Sequence, residues 1–111
     1  MDRQALIELR DQVKAGTLPM GYNADRLDCG ALSARWSDVE KAFDGSLDAA
    51  KALHEAVLPK RYWLIEEWDG AWEASIPISR RESIDATSEE NPARAWLTVI
   101  LEALIIETET S

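Results

Sequence analysis

The chain lacks most of what a catalytic or secreted protein is built from. Its 111 residues hold one cysteine, Cys29, and one histidine, His54. A lone thiol forms no internal disulfide, which fits a reducing compartment, and transition-metal sites usually draw on several histidine or cysteine ligands. No glycine-rich phosphate loop, Gly-x-Ser-x-Gly elbow or His-Glu-x-x-His motif occurs. No apolar run nears the roughly 18 residues that suggest a membrane span. The opening Met-Asp-Arg-Gln has no basic region followed by an apolar one, so no signal peptide is expected. Cations are scarce too: 12 lysines and arginines stand against 21 aspartates and glutamates, a formal net charge of −9. Extended nucleic acid is a poor partner for such a chain, because phosphates need cations. The acidic surface serves solubility or, more sharply, imitates a duplex toward a basic protein. The acids are dispersed, with no long blocks, which favours the first meaning. The expectation is a protein that is not an enzyme, needs no cofactor or metal, and has no membrane to cross.

What is present points to one domain. Apolar residues make up 46% of the chain, enough for a core at this length. Leu6, Leu9 and Val13 recur at helical spacing before Gly16, a helix over about 2–15. Residues 17–23 contain Pro19 and Gly21 and read as loop, and 24–36 is ambiguous, a short helix broken at Gly30 being one option. Ser37 and Glu40 have the spacing of a capping box and predict a helix over about 38–44. Ser46 caps a third helix, about 47–58, with Leu47, Ala50, Leu53 and Val57 inward and Asp48, Lys51 and Glu55 in water. Pro59 ends it. Asn91 and Pro92 open a last helix to about 107, apolar on nearly every side except a wet stripe of Arg94, Thr98 and Glu102.

Between these helices lies a hairpin, about 61–68 and 71–78, turning at Asp69-Gly70. That turn pairs Trp68 with Ala71, Glu66 with Glu73 and Ile65 with Ala74. It puts Trp63, Ile65, Trp72, Ala74 and Ile76 on a core face, and Tyr62, Leu64, Glu66 and Trp68 on the other. Residues 80–90 are polar and read as a connection. The fold class is therefore α+β, with helices packed on a small antiparallel sheet. Two strands alone are marginal, so a third strand from this chain or a second copy is expected. The apolar last helix points the same way, to a homo-oligomer.

Ser46–Pro59 (SLDAAKALHEAVLP), an aromatic strand, and Asn91–Leu104 (NPARAWLTVILEAL) together resemble a family of small uncharacterised proteins of tailed phages and prophages. Members often carry glycine and tryptophan after the proline, where this chain has Lys60-Arg61-Tyr62-Trp63. The resemblance implies phage origin, a shared fold and a place in the host cytoplasm. Small phage proteins of this sort are often accessory factors that act against host immunity. The matching residues are core and caps, so no active-site residue transfers with them.

Two places on the hairpin carry candidate chemistry. Extending the pairing toward its open end brings Lys60 and Arg61 beside Ser79, Arg80 and Arg81, with Tyr62, Trp63 and also Arg35 and Trp36 as neighbours. Guanidinium groups grip phosphate and rings stack on bases, so this corner suits a small anionic ligand such as a nucleotide immune signal, held and not turned over. The plainer reading is that these cations balance local acids such as Glu82 and keep a strand end soluble. The second place is the exposed face of Tyr62, Leu64 and Trp68, covered by another segment, or else an interface for a host defence protein or a second copy. Glu66 and Glu73, facing each other there, read as a solvated pair that answers a partner's cation rather than as acid and nucleophile. Neither His54 nor Cys29 has the company that a metal site or a dyad requires.

Overall fold

A computed structural model describes residues 3–18 and 31–110. Along the chain run α1 (Arg3–Lys14), the single turn α2 (Ala31–Ala34), α3 (Trp36–Phe43) and α4 (Leu47–Val57). Then come β1 (Leu64–Trp68), β2 (Ala71–Pro77), β3 (Ser83–Ser88) and α5 (Pro92–Thr110). The strands form one antiparallel sheet in the order β1-β2-β3. The fold is α+β. The expectations for residues 19–30, including Gly21, Cys29 and Gly30, lie outside the described residues.

α5 is the spine. It packs on β2 and β3 and also on α1, α3 and α4, which explains why its sequence is apolar nearly all round. Ala93, Ala95, Trp96, Leu97, Val99, Ile100 and Leu101 are buried along it. Its start is fixed as expected: the Asn91 side-chain carbonyl accepts the Arg94 amide at 2.7 Å, and Pro92 needs no donor in the first turn. Beneath it the sheet offers matched pairs, Ala74 opposite Ala86 and Ile76 opposite Ile84, all four buried. The two alanines let the helix approach closely, and the isoleucines fill the space beside them.

Several sequence expectations need correction. The polar stretch 80–90 is not a loose connection, because it contains β3, whose Ile84 and Ala86 face the core while Ser83, Asp85 and Thr87 face out. Ser37 caps nothing: it is the second residue of α3, whose N-cap Arg35 makes no side-chain capping bond and pairs instead with Asp38 at 3.6 Å. α4 buries Ala49, Ala50, Leu53 and His54 and leaves Leu47 exposed, a rotation that points the imidazole at Trp96. Thr98 is buried, its hydroxyl donating to the Arg94 carbonyl of the turn before. Arg94 itself is largely withdrawn from solvent, its side chain 13% exposed. Its guanidinium lies 3.8 Å over the Phe43 ring, donates to the Phe43 carbonyl that α3 leaves open at its end, and pairs with Glu90. The third strand and the cover for α5 both come from this chain, so the two grounds for expecting a second copy are met within one molecule.

The hairpin stands in the expected register, with Trp68 opposite Ala71, Glu66 opposite Glu73 and Leu64 opposite Ser75. Its paired strand starts at Leu64, three residues later than expected. Asp69 and Gly70 both hold positive φ, 47° and 83°, the requirement of a type I′ turn.

Candidate functional site

The open end of the hairpin is held by His54. The ring is 1% exposed, and both its nitrogens are engaged. The Trp96 indole Nε1–H donates to Nδ1 at 3.1 Å, and Nε2 lies 2.8 Å from the Arg61 carbonyl. An indole only donates and a carbonyl only accepts, so the ring is neutral with its proton on Nε2. Burial pushes its pKa below the ordinary histidine value, against the opposing pull of the Arg61 carbonyl and of Glu55. Trp63 leans on this pair, its ring 4.9 Å from His54 and stacked 5.0 Å from Trp96. Sequence reasoning gave His54 no role, and only chain reversal through Pro59 brings it to Arg61.

The expected cationic corner is partly assembled. Arg61 donates to the Ile78 carbonyl and pairs with Glu107 of α5, both at 3.4 Å. The approach to β1 therefore lies beside the exit from β2, as the hairpin frame requires. A cleft of about 460 Å³ here is lined by Val57, Leu58, Pro59, Lys60, Arg61 and Glu107. Arg80 and Arg81 are exposed on the turn closed between Ile78 and Glu82 and do not line it. Tyr62 and Trp63 do not line it either. Trp36 packs against the core from α3, whose neighbours are α2, α4 and α5, so neither it nor Arg35 is brought to the corner by a described contact. Another cavity, about 340 Å³ between the end of α1 and the start of α5, includes Lys14 and Arg94 in its lining. Both cations are already paired, with Glu102 and Glu90.

The outer face of the sheet differs from all of these. Tyr62 is 82% exposed, Leu64 52% and Trp68 61%. Alternation along the strands puts Leu64, Glu66 and Trp68 on this face with Ala71, Glu73 and Ser75 of β2 and Asp85 and Thr87 of β3. None of these side chains is buried, and no helix among the described elements covers them. Between Trp68 and Thr87, across the small Ala71, lies a notch of about 260 Å³ with Glu73 in its wall. The acid pair and the aromatic residues were visible in the sequence. The notch was not, because its far wall is β3.

Among the described residues no group of three or more His, Cys, Asp or Glu side chains could hold a metal ion, and no helix is long and apolar enough to cross a membrane. No family model, curated protein or solved structure matches the chain.

Proposed function

We propose that this chain is a non-enzymatic binding protein that docks a protein partner through the outer face of its β1–β2 hairpin. One observation carries the reading: Tyr62, Leu64 and Trp68 are the three most exposed large apolar side chains among the described residues, and they sit together on one strand and its approach. Folding does not need them, since the core is closed on the other side of the sheet. Side chains of this kind supply most of the binding energy where proteins meet. The resemblance of residues 46–104 to small phage proteins makes a host defence component the partner class and the host cytoplasm the place.

A second reading is supported by the cleft beside Lys60 and Arg61, whose size suits a small anionic ligand such as a nucleotide. Glu107 weighs against it, because its carboxylate sits in the cleft and already engages Arg61.

Affinity purification from host cells, with the bound protein identified by mass spectrometry, separates the two. The first reading expects one partner to be held by the wild type and by Arg61→Glu/Arg80→Glu, and lost with Leu64→Ser/Trp68→Ser. A partner indifferent to the hairpin face, together with nucleotide binding in calorimetry that the arginine variant loses, would reverse the assignment. A second copy of the chain as the captured species would make the face a self-association surface.

A further inference from the structure

Taking the hairpin face as the docking surface, we propose that its notch receives an arginine side chain from an extended, basic segment of the partner. Every formal charge on this face among the described residues is negative: Glu66, Glu73 and Asp85. Glu66 and Glu73 stand directly opposite each other, an arrangement that destabilises a hairpin. No lysine or arginine of the described strands shares the face with them. Glu66 spends one oxygen on the Trp68 indole Nε1–H, at 3.1 Å, which orients the ring. The Glu73 side chain has no hydrogen-bonding or ionic partner among the described residues.

The notch beside Glu73 selects one shape. At about 260 Å³ it falls below the roughly 300–1,000 Å³ of pockets that enclose small molecules, and it suits a single side chain. It is lined by the exposed Trp68, by Ala71, Trp72 and Glu73 of β2, and by Thr87 of β3. A guanidinium group is planar and weakly hydrated, stacks on an indole and donates a fork of N–H groups to a carboxylate. Its methylene stem would lie on the alanine. Lysine brings the charge without the plane, and a neutral side chain leaves the two glutamates facing each other unrelieved. Leu64, two same-face positions along β1 from Trp68, takes an apolar residue further along that segment, and Asp85 takes a second cation. The net charge of −9 draws such a segment in from a distance.

The probe is a set of three blocked octapeptides that alternate valine with arginine, with lysine, or with citrulline, the neutral isostere of arginine. Each is titrated into ¹⁵N-labelled protein and followed at the Trp68 indole N–H and the Ala71, Glu73 and Thr87 amides. The arginine peptide is expected to shift these signals saturably, the lysine peptide more weakly and the citrulline peptide not at all. Glu66→Gln/Glu73→Gln should weaken the arginine peptide by about tenfold or more, the loss of one charged hydrogen bond, with the remaining spectrum unchanged. Trp68→Leu should erase the preference for arginine over lysine. Equal binding of arginine and lysine by the wild type, shifts centred on Arg61 and Arg80, or no saturable shift would each overturn the arginine site. If the peptides fail while Leu64→Ser/Trp68→Ser still loses the purified partner, the arginine site falls and the docking face stands.

Discussion

The two faces of the sheet are built from alternate residues of the same strands, yet they have been filled on opposite terms. On the inner face Ala74, Ile76, Ile84 and Ala86 are small or β-branched, matched pair by pair, and closed over by α5. On the outer face a tryptophan and a leucine stand exposed beside three carboxylates, with no matching cation on the face among the described residues. Inner residues are fitted to one another, as close packing demands. The outer set contains a like-charge pair that weakens the hairpin and apolar area that folding leaves wet. Such a face fits the proposed docking surface, whereas Arg61 and Arg94 at the two cavities are already engaged by Glu107 and Glu90.

The largest expected effects test whether the faces differ as described. Ile76→Ala should cost about 2–5 kcal/mol in urea unfolding, the usual loss for a fully buried aliphatic side chain. Trp68→Ser should stay within about 0.5 kcal/mol of wild type, as surface changes do. Comparable losses for both would mean that the outer face is also core. Next comes the turn that holds the two faces in register. A Cβ at Gly70 meets nothing within 4 Å, so the cost of Gly70→Val is mainly backbone strain at positive φ, about 1–3 kcal/mol. An unchanged melting temperature would show that the turn tolerates a β-branched residue.

The junction of hairpin and helices is probed by pH. His54 is neutral and buried, with its pKa lowered in the folded state, so the unfolded chain binds its proton first as pH falls. Stability from this group is complete above the ordinary histidine value of about 6.5. It declines as pH drops from there through the lowered folded value. Protonation would also set an Nδ1–H against the indole N–H of Trp96. Chemical denaturation between neutral and mildly acid pH reads the slope, and His54→Gln should flatten it; a slope that persists in the variant belongs to other groups. The smallest effect is a gain. Glu73→Gln removes the facing charge and should raise stability by about 0.2–1 kcal/mol. A loss instead would mean that Glu73 is satisfied within the chain.

Much of this architecture was legible in local pattern. The register of the hairpin was read to the residue, though not the start of its first strand, because Asp69-Gly70 fixes a two-residue turn and a turn fixes register. Ser46 and Asn91 were read as caps, and both accept the expected amide. β3 was missed although Ser83-Ile-Asp-Ala-Thr alternates cleanly, since its charged and hydroxyl residues outweighed two modest apolar ones. The capping box at Ser37 was a spacing without its structure, because the chain enters α3 directly from the turn of α2. Thr98 and Arg94 looked wet by type, and are drawn inward by neighbours that the helical wheel does not contain.

The sequence by itself determined what depends on near neighbours along the chain: helix caps, the turn, the register, the sign of the net charge and the pairing of Glu66 with Glu73. Only the tertiary structure decided which of those features had partners. Arg61 met Glu107, Arg94 met Phe43, and His54 met Trp96, each across more than 40 residues of chain, while Trp68 and Glu73 kept one side open. Satisfaction of a polar or apolar group is a property of the space around it, and that space is assembled by residues distant in sequence.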